Sequence, residues 1–190
     1  MKKFFFLFFA VLLGLAIAVY RIADLENSKA FFHNGNWTGS NSLPLGKNNL
    51  LTAQITVFGL FALPSDEAIY LFARRDDNQK LFNGNYEYVI EGNLHDIKAK
   101  YWSITIYGKD LFLIDNEIGR FSFNNSNLLT DSFGNFSIDI SPSKKFGNWL
   151  PSKEGGRFNL VLRIYNGDKQ FVSELQSASL PSIKKKGDGK

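Results

Sequence analysis

The residues with the best chemistry lie on two segments of alternating hydropathy. Ser103, Thr105 and Tyr107 alternate with Trp102, Ile104 and Ile106, and Arg163 and Tyr165 alternate with Leu162 and Ile164. On a β-strand, residues two apart share a face. One strand therefore presents three hydroxyls, and the other a guanidinium and a phenol. If the two strands are neighbours and these faces converge, they form a pocket of hydroxyls around one cation. The guanidinium is a planar fork of donors that suits a carboxylate, a phosphate or the hydroxyls of a glycan. The competing reading is the solvent-facing side of a sheet, where Ser, Thr, Tyr and Arg are ordinary residues.

Other constellations carry less. The two histidines, His33 and His95, stand in polar segments far apart, with no H-x-H or H-E-x-x-H spacing, so neither a metal site nor a cofactor is expected. Ser141-Pro142-Ser143-Lys144 has the S-x-x-K spacing of serine acylases. That chemistry needs the Ser to open a helix, with the Lys one turn away on the same side. Here the motif leaves a strand through a proline, and a lysine-bearing turn is expected instead. Asp76-Asp77-Asn78 reads as a turn former rather than an acid–base pair or a calcium loop. Asn148-Trp149-Leu150-Pro151 reads as a structural Trp before a proline-fixed turn.

The chain has no cysteine, which removes disulfides, thiolate metal sites, Cys nucleophiles and lipid-modified Cys anchors. Its 190 residues carry a net charge of +4, but the excess sits at the two ends. With Lys2, Lys3, Lys184, Lys185, Lys186, Lys190 and Asp188 set aside, 16 basic and 17 acidic residues remain. A near-neutral body without interleaved basic and aromatic strand residues speaks against a nucleic-acid partner.

Met1-Lys2-Lys3 precedes an uncharged apolar run, residues 4–20, that closes at Arg21. As a helix this run covers about 25 Å, just short of a hydrocarbon core of about 30 Å, with Tyr20 and Arg21 able to sit at the interface. The lipid bilayer is thus the first expected partner. Lys2 and Lys3 would stay cytoplasmic and the rest of the chain would lie outside. The competing reading is a signal peptide cleaved after Ala16-Ile17-Ala18. A retained anchor is favoured, because the apolar run continues through that cleavage site. Residues 1–21 are accordingly expected as anchor or uncleaved signal.

Residues 22–47, rich in Asn, Ser and Gly, read as an extended tether in which Phe31, Phe32 and Trp37 dock on the domain. Leu51, Ile55, Phe58 and Ala62 share one helical face, which predicts a helix over 48–63 ending before Pro64. Strands are then expected over 68–74, 86–91, 101–107, 111–114, 120–123, 136–141 and 158–165, separated by Asn, Gly, Asp and Ser turns. Residues 48–183 are therefore expected to form one mainly β domain, an antiparallel jelly-roll-like sandwich, followed by a basic disordered tail over 184–190. No alternation of strand and helix is present, which excludes a doubly wound nucleotide fold.

Blocks of this sequence resemble the bacterial domain-of-unknown-function 1214 family. They are Ser65-Asp66-Glu67-Ala68-Ile69-Tyr70, Tyr101-Trp102-Ser103-Ile104-Thr105-Ile106-Tyr107, Phe112-Leu113-Ile114-Asp115-Asn116, Gly147-Asn148-Trp149-Leu150-Pro151 and Phe158-Asn159-Leu160-Val161-Leu162-Arg163-Ile164-Tyr165, in that order. The resemblance implies a β-rich, jelly-roll-like domain in its compact, membrane-anchored form. It implies no reaction.

Taken together, these features predict an envelope protein of the bacterial cytoplasmic membrane. It would cross the bilayer once, with its C-terminal domain outside the cytoplasm, or be secreted after cleavage near Ala18. The expected activity is binding of an anionic small molecule, a glycan or a protein partner without catalysis. The alternative is an envelope hydrolase or lyase that uses the Tyr/Ser/Arg strand face.

Overall fold

The structure, a computed structural model, describes residues 2–23, 31–40, 49–50, 52–53, 63 and 66–187. The N-terminal run forms helix α1 (Lys2–Ala23), longer at both ends than its apolar stretch. Twenty-two residues reach about 33 Å, enough to span a hydrocarbon core with the charged residues Lys2, Lys3 and Arg21 at its edges. Its large apolar side chains are all exposed, from Phe4 to Tyr20, so no described part of the chain covers them. By length and composition the helix is long and apolar enough to cross a membrane, a property shared by membrane anchors and signal sequences.

Among the described residues ten strands follow: β1 (Phe32–Asn34), β2 (Trp37–Gly39), β3 (Ala68–Ala73), β4 (Tyr88–Asn93), β5 (Ala99–Gly108), β6 (Ser122–Asn124), β7 (Asn135–Ser141), β8 (Trp149–Pro151), β9 (Phe158–Gly167) and β10 (Ser182–Lys185). They build two sheets, one of six strands in the order β1-β2-β3-β9-β5-β6 and one of four in the order β10-β4-β7-β8. The larger sheet is antiparallel throughout. In the smaller sheet β10-β4-β7 is antiparallel, but β8 runs parallel to β7.

One hydrophobic core takes side chains from both sheets. Leu71, Ile104, Ile106, Leu160, Leu162 and Ile164 come from the larger sheet, and Tyr88, Ile90, Ile138 and Ile140 from the smaller. Aromatic contacts span the gap between sheets. Tyr88 stands edge-on to Phe158 at 5.5 Å, and Trp102 lies 5.7 Å from Phe136. Burial of each such side chain contributes roughly 1.5–3 kcal/mol, which makes this layer the main source of stability. Because Trp102, Ile104 and Ile106 point into it, Ser103, Thr105 and Tyr107 must point the other way.

Four expectations are corrected. Residues 32–39 are not an extended tether but the β1–β2 hairpin, turned at Gly35 with φ +58° and paired through β2 to β3. Trp37 is the reason: it is 1% exposed, and its Nε1–H donates to the Pro181 carbonyl at 2.7 Å. The expected basic tail is ordered as far as Lys186, since Ile183 is fully buried and Lys184 and Lys186 pair with Glu91 and Asp139. Residues 111–114 form no strand; only Leu113 bridges back to Tyr107. The Trp149 segment is a strand, and the parallel β7–β8 pair makes the smaller sheet mixed rather than antiparallel. Pro151 is tolerated there because β8 is a sheet edge. Of the helix expected over 48–63, residues 49, 50, 52 and 53 are helical and Leu63 is not, and the remainder lies outside the described residues.

Candidate functional site

Strand β9 lies between β3 and β5 at the centre of the larger sheet, so it brings three strands' outward residues together. Arg163 is in register with Tyr70 on one side and Ser103 on the other. Tyr165 is level with Tyr101, Val161 with Thr105, and Asn159 with Tyr107. The five residues picked out by alternation therefore share one face of two adjacent strands.

Arg163 organises this face. Its Nη1–H donates to Thr105 Oγ1 at 3.1 Å, and its Nη2–H to the Tyr107 hydroxyl at 2.5 Å. The guanidinium carbon lies 5.3 Å from the centre of the Tyr107 ring and 6.0 Å from that of Tyr70. Such cation–π contacts contribute about 0.5–1 kcal/mol each and fix the plane of the fork. Two of its five N–H donors are thus committed to hydroxyls of the face itself. No described acidic side chain pairs with Arg163, although the residue is half-buried.

The face is not an open polar surface. Ser103 and Thr105 are each only 6% exposed, and Val161, level with Thr105, is 2% exposed. Tyr165 is half-buried against the Tyr101 ring at 5.7 Å. Burial first, and the neighbouring Tyr70 second, raise the Tyr165 phenol above its ordinary pKa, while Arg163 opposes that rise. Tyr165 is therefore a neutral hydroxyl at physiological pH, able to donate as well as accept.

Tyr101, on the alternating face of 101–107, joins this face, and so does Tyr70, which escapes the reading of the sequence. The Ala68–Ala73 run looks apolar on both sides, yet Ile69 and Leu71 are buried while Tyr70 and Phe72 are only partly so. A period-2 reading anchored on Leu71 would have put Tyr70 on the outward face of β3; its place beside Arg163 comes from the register of β3 with β9.

The remaining motifs serve the fold. Ser141 is fully buried; its hydroxyl donates to Glu87 Oε1 at 3.1 Å and accepts from the Ser143 N–H. Lys144 is exposed while the next residue, Lys145, pairs with Glu87 at 2.6 Å. Asp76 is 1% exposed and its Oδ1 accepts the N–H groups of Asn78 and Lys80, which closes its turn. Trp149 is 8% exposed and donates to the Ser141 carbonyl. His33 bonds Thr38 across the β1–β2 hairpin. Among the described residues no group of three His, Cys, Asp or Glu side chains could hold a metal.

The comparisons with known proteins bear on the same domain. The VPA0106 protein from Vibrio parahaemolyticus, a solved structure, superposes with a TM-score of 0.60 at 27% identity over 73% of this chain. An uncharacterised protein from Burkholderia cenocepacia aligns with 90% of this chain at 16% identity and a TM-score of 0.46. This chain spans 35% and 40% of those two chains. No curated protein matches. The model of the family described as protein of unknown function DUF1214 matches residues 67–169, from the turn before β3 to the end of β9 and just beyond. That match covers more than half of the sequence, including every residue of the Arg163 face, and the chain belongs to the DUF1214 family.

Proposed function

We propose that this protein is a membrane-anchored, exported envelope domain that holds an anionic small molecule or a glycan on its Arg163 face, without catalysing a reaction. The observation that carries the reading is the state of Arg163. A half-buried guanidinium is oriented by two hydroxyls and two aromatic rings, with no described carboxylate to balance it. A buried or half-buried charge without a partner is costly, and a ligand carboxylate, phosphate or hydroxyl cluster would supply one. Ser103, Tyr165 and Tyr70 add hydroxyls, and the Tyr rings offer the apolar faces on which sugar rings stack. The Thr105 and Tyr107 oxygens already hold the guanidinium, which suits a rigid binding surface better than a proton-transfer site.

Helix α1 supports anchoring, and Lys2-Lys3 ahead of it supports an orientation that places the domain outside the cytoplasm. The shared core between the two sheets supports a jelly-roll-like sandwich. The test is a thermal-shift screen of the full chain in lipid nanodiscs against envelope glycans and anionic metabolites. At least one ligand is expected to stabilise the wild type and not Arg163→Gln. A screen in which nothing stabilises the wild type would reject the small-ligand reading.

A further inference from the structure

We propose a second binding site, distinct from the Arg163 face, in the cavity at the end of the β3–β9–β5 ladder. Its ligand is a small amphiphilic anion, an oxyanion head on a short apolar group. The cavity measures about 290 Å³, at the lower edge of ligand-pocket sizes. Four segments meet around it: Arg74 just after β3, Leu81 and Phe82 before β4, Lys109 and Leu111 in the turn after β5, and Arg157 with Phe158 where β9 starts.

Its lining is part cationic and part apolar. Arg74, Lys109 and Arg157 contribute positive charge, and among the described residues no acidic one lines the cavity. Lys109 and Arg157 are exposed and make no ion pair with a described residue. The nearest acid in sequence, Asp110, uses its Oδ1 to accept the Phe112 N–H. Like charges gathered this way repel one another, and an anion between them turns repulsion into attraction. Phe82 and Phe158, whose rings stack at 5.0 Å, are almost fully buried, and the apolar lining that stays open is Leu81, 38% exposed, with the half-buried Leu111. A free inorganic anion would leave those leucines uncovered, which is why the ligand needs an apolar portion.

The turn that shapes the wall is also strained. Leu111 has φ +65°, in the left-handed region that a bulky residue rarely enters. It is held there by its N–H donating to the Gly108 carbonyl at 3.0 Å while the Gly108 N–H donates to the Phe112 carbonyl at 2.8 Å. A glycine would satisfy the backbone better, but the leucine adds an apolar wall beside Lys109. Arg157 and Arg163 are six residues apart along one strand direction, about 20 Å, so one small ligand cannot occupy both places.

The test is calorimetric titration of the full chain in phosphatidylcholine nanodiscs with phenyl phosphate, inorganic phosphate and phenol. Phenyl phosphate is expected to bind saturably and more tightly than either fragment. Its affinity should fall on the order of tenfold in Lys109→Glu and in Arg157→Glu, and in Leu111→Trp, which fills the cavity, but not in Arg163→Gln. A thermal melt of each variant confirms that it is folded. Competition by a short-chain phosphatidic acid would assign the head group to a lipid, and its absence to a soluble molecule; both keep the site. No saturable binding by the wild type, or equal binding by folded Arg157→Glu, would overturn it. Loss of binding in Arg163→Gln would return the ligand to the Arg163 face and remove the second site.

Discussion

Arg163 on β9 donates to the Tyr107 hydroxyl on β5 at 2.5 Å while its guanidinium carbon lies 5.3 Å from the centre of that same ring. The pair is diagonal across the ladder, since Arg163 is in register with Ser103 and Tyr107 with Asn159. One side chain thus holds the other by its edge and its face. The two should behave as a unit. A double-mutant cycle of Tyr107→Phe and Arg163→Gln is expected to give a coupling of about 0.5–3 kcal/mol in chemical denaturation. Additive effects would mean that the bond contributes nothing to the fold and that the fork is not fixed.

The β1–β2 hairpin is stapled to the C-terminal segment. The Trp37 Nε1–H bond to Pro181 is joined by Asn34 Nδ2, which donates to the Leu175 and Ala178 carbonyls, and by the Ile183 N–H, which donates to Asn36 Oδ1. Trp37→Ala is therefore expected to cost about 3–5 kcal/mol, the range for deleting a buried aromatic side chain. Trp37→Phe should cost less, because it keeps most of the buried area and loses the hydrogen bond. Near-neutral Trp37→Ala, measured by urea unfolding, would return residues 32–39 to the status of a tether.

Tyr165 links the site to alkaline pH. Its pKa is raised in the folded state, by burial first and Tyr70 second, so the folded chain holds that proton longer than the unfolded chain. Its contribution to stability is complete below the unfolded value, roughly 10, and is lost as pH rises through the folded value. Tyr165→Phe should flatten the loss of stability above about pH 10 relative to wild type. Tyr88 is shifted the same way by burial and remains in the variant, so the flattening is partial. Identical alkaline limbs would remove Tyr165 from the account.

At the acid end the sign reverses. Lys145 and Ser141 hold Glu87 below its ordinary pKa, against the opposing effect of burial. Its contribution is present above the unfolded value, roughly 4.3, and is lost as pH falls through the folded one. Glu87→Gln should be less stable than wild type at pH 7, with the gap closing below about pH 4. Both partners are about a third exposed, so the gap should be modest, about 1 kcal/mol or less, and smaller in high salt.

The sequence revealed the parts of this fold that depend on alternation and missed those that depend on pairing. Trp102, Ile104 and Ile106 against Ser103, Thr105 and Tyr107 gave the face of β5 directly, because a period of two leaves no other arrangement of apolar and polar residues. That Arg163 would be the neighbour of Tyr107 was not legible, since strand order is set by contacts remote in sequence. The short strands β1, β2 and β8 carry too few residues for a period to show. Strand β10 was hidden by its lysines: Lys184 pairs with Glu91 on the adjacent β4, and Lys185 stands over the Tyr86 ring. The cavity at the start of β9 draws on four separated segments, and nothing local in any of them announces it.

The central claim is that Arg163 is a ligand-binding cation rather than a surface-packing residue. Its most direct test is isothermal titration of the ligand found by thermal shift into wild type, Arg163→Lys and Arg163→Gln, each with its melting temperature. The account predicts binding that weakens in Arg163→Lys and is lost in Arg163→Gln, because a lysine keeps the charge but not the planar fork. It also predicts that each variant still melts cooperatively with its fold intact. Equal affinity in wild type and folded Arg163→Gln would contradict it.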